Sequence, residues 1–360
     1  MGMKTSMEHS SFVSKLHVRE TQCPYCSVQC KMTVEEVAGP IAGHQHALSG
    51  QRLLKPLIRR DGELIPSSWP EVTEYIAGRF TSLQNQYGAD VIGVYGGGSL
   101  TNETAYLLGK FARVALGTRY IDYNGRFCMS AAASAGSKVF GMDRGLTFRL
   151  SDIPLAQCIV LAGTNVAECQ PTLLPYFNQA KENGAYIIVI DPRKTATAAI
   201  ADLHLQIKPG MDALLANIML KVIMEAGLVN EHFIDARTQG YESMQSALSE
   251  IDLEESAEQC GVDLTLIRQA AMAYGQAETG MIMTARGVEQ QTDGHLAVRH
   301  FLNLVLATGK IGRPGCGYGA ITGQGNGQGG REHGQKADQL PGYRSIENEQ
   351  DRAHVASVWG

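Results

Sequence analysis

The 360-residue sequence lacks the marks of several common protein classes. It contains no apolar run long enough to span a membrane, and its first residues, Met-Gly-Met-Lys-Thr-Ser, have neither an apolar core nor an Arg pair. Charged residues make up only 19%, and the net charge of −5 gives no basic excess of the kind that nucleic-acid binding uses. We therefore expect a cytoplasmic protein with no membrane and no nucleic-acid partner.

Cysteine is also scarce. The chain has eight cysteines, which are too few and too scattered for a disulfide scaffold in a chain of this length. Three of them form one tight C-x2-C-x3-C array: Cys23, Cys26 and Cys30. Three soft thiolates at this spacing suit an iron–sulfur cluster or a zinc site, and both normally take four ligands. No fourth cysteine follows before Cys128, and the only nearby substitutes are His44 and His46. The array predicts a metal centre and leaves its identity open.

Glycine, in contrast, is abundant, with 40 residues that cluster in loops rather than in a repeat. Such clusters favour close approach of the backbone to a ligand. The densest one, Thr-Gly-Gln-Gly-Asn-Gly-Gln-Gly-Gly at 322–330, carries amide side chains at Gln324, Asn326 and Gln328. A flexible linker has a similar composition. The amides favour a loop that wraps a polar ligand.

Short apolar runs bounded by turn residues alternate with helical patterns over most of the chain. The predicted strands are residues 90–95, 118–122, 158–162, 186–190, 203–207 and 281–284, and the predicted helices begin near 68, 101, 170, 212 and 295. This alternation predicts an α/β fold of right-handed, Rossmann-like βαβ units with mostly parallel sheets. In such sheets ligands bind just outside the carboxyl ends of the strands.

Cys128 stands in the turn Tyr-Asn-Gly-Arg-Phe-Cys-Met-Ser at 123–130, between a predicted strand and an Ala-rich run. The pattern predicts that Cys128 lies in the first turn of a helix at the carboxyl end of that strand. Backbone N–H groups and the helix dipole stabilise an anion there, so a thiolate can act as a nucleophile or a metal ligand. A buried, inert cysteine is the alternative on position alone.

Two further strand ends carry groups that suit a nucleotide with a pyrophosphate. Gly-Thr-Asn at 163–165 follows one strand and offers free backbone N–H groups to phosphates. Asp-Pro-Arg at 191–193 follows the next strand and offers a carboxylate to a ribose hydroxyl and a guanidinium to a phosphate. No G-x-G-x-x-G follows the first of these strands, which disfavours an ordinary nicotinamide site. A plain turn is the alternative for residues 191–193.

In this order, the cysteine array, the Cys128 turn, the two strand ends and the glycine-rich tail resemble the molybdopterin oxidoreductase family, whose members carry bis-molybdopterin guanine dinucleotide with molybdenum. Within that family the chain looks like the catalytic subunits of bacterial assimilatory nitrate reductases, from about Thr21 onward. The resemblance implies a molybdenum-dependent oxidoreductase that reduces nitrate to nitrite by oxygen-atom transfer. It also implies an electron-donor protein, either a ferredoxin or a flavoprotein subunit, as partner.

The resemblance assigns roles to particular residues. Cys128 would be the protein's thiolate ligand to molybdenum, with Met129 and Arg286 as the other catalytic positions. The residues that would ligate a [4Fe–4S] cluster are Cys23, Cys26 and Cys30. The residues that would bind the dinucleotide cofactor are Ser99, Asn124, Gly163, Thr164, Asn165, Glu168, Asp191, Arg193, Asp212, Gln290, Gln324 and Asn326.

The residue at position 129 distinguishes between two substrates used within this family. Similar formate dehydrogenases place a His directly after the metal ligand, where it can take a proton that leaves the substrate. Met129 has no titratable group, and oxygen-atom transfer from nitrate needs no base at that point. Nitrate is therefore favoured over formate, and a formate dehydrogenase-type enzyme is the alternative.

The sequence departs from the family pattern in two ways. The family's fourth cluster cysteine, in an Arg-x-Cys-x-Lys-Gly stretch, has no counterpart after Glu35, so we expect an incomplete cluster. Family chains are also longer, so we expect a fragment. A non-catalytic remnant that still binds cofactor, and a radical enzyme with a three-cysteine cluster, are the other interpretations.

Five segments are predicted from these motifs. They are a disordered N-terminus (1–20), an incomplete iron–sulfur segment (21–66), an α/β domain with the molybdenum-ligand cysteine (67–148), a dinucleotide-binding α/β domain (149–320), and a glycine-rich cofactor loop that starts a truncated return to the middle domain (321–360).

Overall fold

The computed structural model describes the backbone of residues 19–22 and 31–34, and residues 53–143 and 145–360 in full. Cys23, Cys26 and Cys30 lie outside the described residues, as do His44, His46 and most of the expected disordered N-terminus. The chain divides into two compact units, one ending at Phe80 and one running from Thr81 to Gly360. None of the helices in the described ranges combines the length and apolar character that a membrane crossing requires.

The first unit contains two antiparallel hairpins. β1 (Arg19–Gln22) pairs with β2 (Lys31–Val34), and β3 (Leu57–Arg60) pairs with β4 (Glu63–Pro66). The second hairpin turns through Asp61 and Gly62, which both have positive φ (48° and 88°), as a tight two-residue turn requires. α1 (Trp69–Tyr87) follows, and Ser68 Oγ accepts a hydrogen bond from Glu71 N at 3.4 Å, so the predicted helix start is confirmed.

The Cys128 segment lies in a smaller βαβ unit. β5 (Val94–Gly96) pairs in parallel with β6 (Ile121–Tyr123), and α2 (Asn102–Lys110), extended by a π-helical turn at Phe111–Ala115, connects them. Two helices follow, α3 (Gly125–Cys128) and α4 (Ser130–Phe140). β5 is shorter than the predicted strand because Ala89–Val91 form a 3-10 turn instead.

The second unit is built on a five-stranded, all-parallel sheet. Its strands are β7 (Cys158–Ala162), β8 (Tyr186–Ile190), β9 (Leu203–Leu205), β10 (Gly280–Thr284) and β11 (Gly317–Ala320). Their order is β11-β10-β7-β8-β9. β7 and β8 have the predicted bounds, since each is a continuous apolar run between turn residues. The predicted parallel α/β fold is confirmed.

Helices cover both faces of this sheet, and alternate residues of β7 enter two different cores. Val160 packs in one cluster with Leu215 and Phe301, and Leu161 packs in the other with Phe177. The covering helices are α5 (Val166–Cys169), α6 (Leu174–Glu182), α7 (Ala196–Ala199), α8 (Asp212–Glu225), α9 (Glu231–Arg237), α10 (Tyr241–Ser249), α11 (Leu253–Cys260), α12 (Leu264–Gln276), α13 (Arg286–Glu289) and α14 (Gly294–Ala307).

The glycine-rich segment after β11 returns to the βαβ unit of Cys128. It forms α15 (Gly327–Glu332), a short hairpin of β12 (Gln339–Leu340) and β13 (Arg344–Ser345), and α16 (Glu349–Trp359). Arg113 anchors this return, because its Nη1 donates to Gly334 O at 2.6 Å and its Nη2 donates to Lys336 O at 2.7 Å. The glycine cluster is therefore part of the packed structure and not a free linker.

Candidate functional site

Cys128 ends the one-turn helix α3, which follows β6 as predicted. Its backbone N–H donates to Asn124 O at 3.0 Å, so it is not one of the free donors expected at a helix start. The helix breaks at Met129 (φ −142°, ψ 12°) before α4 begins at Ser130. The break buries the Met129 side chain, whose Sδ faces Arg331 Nη1 at 2.8 Å. The argument from a helix N-terminus therefore does not apply to the half-buried Cys128 thiol.

Arg286 reaches this thiol from the main sheet. It follows β10 and begins α13, and its Nη1 donates to Cys128 Sγ at 3.3 Å. Its Nη2 lies 2.5 Å from Glu289 Oε1, and the Glu289 side chain is only 1% exposed. Burial raises the pKa of the Glu289 carboxyl group, and the Arg286 guanidinium opposes that rise. The guanidinium is thus fixed between a thiol and a buried carboxylate.

Four predicted cofactor residues meet in one hydrogen-bond network beside the Cys128 turn. Asn124 Nδ2 donates to Gln324 Oε1 at 2.5 Å, and Gln324 Nε2 donates to Ser99 Oγ at 3.3 Å. The backbone of Gly98 links Asn326 to this network. Gly98 N donates to Asn124 Oδ1 at 2.9 Å, and Gly98 O accepts from Asn326 N at 2.7 Å. The structure therefore brings together residues that lie far apart in the sequence.

Gln290 reaches the same turn from α13. Its Nε2 donates to Phe127 O at 2.9 Å, one residue before Cys128. Arg286, which begins α13, and Gln290, which follows it, thus both contact the Cys128 turn.

A cavity of about 380 Å³ lies along the carboxyl edge of the main sheet. The residues that follow all five strands line it: Gly163 after β7, Asp191 after β8, Ile207 after β9, Ala285 after β10 and Ile321 after β11. This is where a parallel sheet binds its ligand. The predicted site residues that line the cavity are Gly163, Thr164, Asn165, Asp191, Arg193, Asp212 and Arg286.

Two glycines allow the ends of β7 and β10 to meet at this cavity. Gly163 has φ 59°, and a Cβ at this position would lie 2.5 Å from Val288 N. A Cβ on Gly287 would lie 2.6 Å from Gly163 Cα, and Gly287 N donates to Gly163 O at 2.9 Å. The backbone therefore forms the wall of the cavity here, with no side chain between it and a ligand.

Two buried carboxylates face the cavity. Burial, together with a smaller contribution from the nearby Asp191, raises the pKa of Asp212 to about 6. Asp191 Oδ1 accepts from Arg193 N at 2.8 Å, while the Arg193 side chain is exposed. Carboxylates in such a place need donors such as ribose hydroxyls or the N–H groups of a base.

Glu168 does not line the cavity. Its Oε2 accepts from Asn165 Nδ2 at 2.8 Å, and Thr197 Oγ1 donates to Asn165 Oδ1, also at 2.8 Å. Asn165 is thus held from both sides, and Glu168 acts on the cavity through Asn165.

Sequence patterns missed a buried ion pair next to Met129. Arg331 Nη2 lies 2.5 Å from Asp143 Oδ2, and both residues line a second cavity of about 210 Å³ with Met129 and Gln324. An Arg directly after the glycine cluster was the only signal in the sequence. Its partner comes from the loop after α4, and that pairing cannot be read from spacing.

Comparison with known proteins defines the class. A model of the molybdopterin oxidoreductase family matches residues 52–359, and a model of the molybdopterin oxidoreductase Fe4S4 domain matches residues 16–50. The chain belongs to the molybdopterin oxidoreductase family, so the resemblance drawn from its motifs is confirmed. Acetylene hydratase from Pelobacter acetylenicus has a similar fold, with a TM-score of 0.67 and 21% identity over 82% of this chain and 44% of that one.

Among individual relatives, the chain is 57% identical to the assimilatory nitrate reductase catalytic subunit of Bacillus subtilis, over 95% of this chain and 51% of that protein. It is 36% identical to the F420-dependent formate dehydrogenase subunit alpha of Methanocaldococcus jannaschii, over 91% of this chain and 51% of that protein. It is 34% identical to the nitrate reductase of Synechocystis, over 96% and 52%. The chain spans about half the length of the relatives it matches.

Proposed function

We propose that this chain holds the molybdenum ligand and one dinucleotide arm of an enzyme that reduces nitrate to nitrite. The observation that carries the proposal is the position of Arg286, which lines the sheet-edge cavity and also donates to Cys128 Sγ. One side chain thus joins a nucleotide-sized cavity to a potential metal ligand. The 57% identity to a nitrate reductase subunit supports the substrate.

The residues present fit a molybdenum cofactor. Within the described part of the chain, no three His, Cys, Asp or Glu side chains converge, so a metal at Cys128 would take its other ligands from the cofactor itself. Arg286 Nε is buried and has no hydrogen-bond partner among the described residues, so it is free to donate to a bound group.

Each part of the cofactor then has residues to hold it. Cys128 Sγ would ligate molybdenum, and bis-molybdopterin guanine dinucleotide would supply a two-electron centre that accepts an oxygen atom. Amides and hydroxyls beside the turn would orient the pterin region: Ser99, Asn124, Gln290, Gln324 and Asn326. The cavity residues would hold a guanine dinucleotide arm: Gly163, Thr164, Asn165, Asp191, Arg193 and Asp212, with Glu168 fixing Asn165.

Met129 favours nitrate over formate as substrate. Met129 offers no group that could take a proton from formate, and it is 6% exposed. The Arg331 guanidinium beside its sulfur, although paired with Asp143, would suit an anionic substrate such as nitrate. Formate is also an anion, so the absence of a base at position 129 decides the preference.

Electrons would arrive through the N-terminal segment. We propose a [4Fe–4S] cluster on Cys23, Cys26 and Cys30, supported by the match of residues 16–50 to the Fe4S4 domain. A ferredoxin or a flavoprotein subunit in the cytoplasm would reduce it. Iron and sulfide analysis after anaerobic purification tests this assignment. Four irons per chain support the cluster, and fewer show that the three cysteines do not hold it without a fourth ligand.

The function is tested on holoprotein purified anaerobically from cells supplied with molybdate. With reduced methyl viologen as donor we expect nitrite from nitrate, and with oxidised viologen as acceptor we expect no oxidation of formate. Formate oxidation without nitrite production would establish the formate dehydrogenase alternative. Neither activity in protein with a full complement of molybdenum would establish a non-catalytic cofactor-binding protein.

A further inference from the structure

We propose that Glu289 is a positioning residue whose carboxylate holds the Arg286 guanidinium against Cys128 Sγ. One of its two tests uses protein loaded with molybdenum, and that test rests on the proposed function. The other test uses the chain without molybdenum and is independent of the function.

The ion pair directs the guanidinium at the thiol. Arg286 uses its two terminal nitrogens on two different partners, with Nη2 at 2.5 Å from Glu289 Oε1 and Nη1 at 3.3 Å from Cys128 Sγ. A planar guanidinium that is paired at one terminal nitrogen has a fixed direction at the other. The orientation of Nη1 toward Cys128 is therefore set by the carboxylate.

The backbone gives Glu289 no freedom to move away. Glu289 ends the one-turn helix α13, where its N donates to Ala285 O at 3.1 Å. The next helix packs directly on it, since a Cβ at Gly294 would lie 2.1 Å from Glu289 O. The carboxylate is thus a fixed point on the main sheet's side of the site.

The first test uses chain produced without molybdate. Phenylglyoxal modification of Arg286 is measured by peptide mass spectrometry, with the exposed Arg268 as internal reference. In Glu289→Gln we expect modification of Arg286 to be roughly tenfold faster, because loss of the buried ion pair releases the guanidinium. An unchanged rate at Arg286 overturns the proposal, whatever the metal content.

The second test measures the midpoint potential of molybdenum by electron paramagnetic resonance in loaded protein. A guanidinium that donates to a ligand sulfur stabilises the reduced metal, so its release lowers the potential. If Arg286 stayed in place, loss of the negative charge at Glu289 would raise the potential instead. Positioning predicts a fall in Glu289→Gln, and a rise overturns it. If wild-type protein binds no molybdenum when molybdate is supplied, the proposed function is refuted, and the first test alone decides the role of Glu289.

A second variant guards against a folding defect. Arg286→Lys keeps a positive charge beside Glu289, but an ammonium group does not donate in two fixed directions, so we expect a folded protein with a lowered potential. A wild-type potential in Arg286→Lys overturns the proposal. The matched control is Asp90→Asn, which breaks the exposed Asp90–Arg119 pair (3.0 Å) and should leave Arg286 modification and the potential unchanged.

Discussion

Arg286 Nη1 lies 3.3 Å from Cys128 Sγ, although the two residues belong to different βαβ units of the chain. Cys128 follows β6, and Arg286 follows β10. Each side chain therefore extends from the carboxyl end of a parallel strand, and the two ends face one another. This arrangement allows one bound cofactor to contact both βαβ units.

Asp212 makes the stability of the cofactor-free chain depend on pH. Burial raises the pKa of Asp212 to about 6, so the folded chain binds this proton more tightly than the unfolded chain does. Stability therefore falls as pH rises from about 4 to about 6, and the loss remains at pH 7. We expect Asp212→Asn to be more stable than wild type by roughly 2–3 kcal/mol at pH 7, and equal to it near pH 4. Urea unfolding at both pH values measures the difference.

Asp263 is the matched control for this experiment. Hydrogen bonds from Thr265 lower the pKa of Asp263, which caps α12, so the ionised form is the favoured one in the folded chain. Asp263→Asn should therefore lose stability at pH 7. Stabilisation by both substitutions would show a general charge effect and would contradict the account of Asp212.

Gly163 is expected to tolerate no side chain. Gly163→Ala combines a left-handed backbone with a Cβ only 2.5 Å from Val288 N. Gly312 also has positive φ (77°), but a Cβ there meets nothing within 4 Å. Gly312→Ala should cost roughly 1 kcal/mol, and Gly163→Ala should cost an additional 1–3 kcal/mol or so for overpacking. Equal free energies of unfolding for the two variants would refute the close approach of β7 and β10.

Arg193 is expected to bind the pyrophosphate of the dinucleotide arm. Its exposed side chain lines the cavity next to Asp191, and Arg193→Ala removes a charge-assisted contact of roughly 1.5–3 kcal/mol. Molybdopterin retained through purification should fall clearly, while Arg268→Ala, at an exposed position far along the chain, should retain it fully. Unchanged retention in Arg193→Ala would favour a plain turn at residues 191–193.

The main sheet could be predicted from sequence because its strands are local patterns. β7 and β8 are uninterrupted apolar runs, and the residues that follow them, Gly163 and Asp191, line the cavity as expected. The amides of the glycine cluster at 322–330 argue against a free linker, and the structure packs Gln324 against Asn124 and Ser99, while the ligand role of the cluster stays a prediction. These inferences needed no information about distant contacts.

The rest depends on pairings between distant segments. The helix break at Met129 coincides with burial of its side chain beside Arg331, and no local propensity marks that position. Arg286 and Glu289 are only three residues apart in the sequence, but the contact of Arg286 with Cys128, which gives the pair its role, comes from a distant segment. The four helices between Glu231 and Gln276 carry no motif, and sequence patterns did not predict them.

The most direct test of the account is X-ray absorption at the molybdenum edge in wild-type protein and in Cys128→Ser. We predict that the serine variant loses one sulfur neighbour of molybdenum and with it the production of nitrite from nitrate. Cys260→Ser, at a free cysteine that does not line the sheet-edge cavity, should keep the full number of sulfur neighbours. An unchanged sulfur shell in Cys128→Ser would contradict the assignment of Cys128 as the molybdenum ligand.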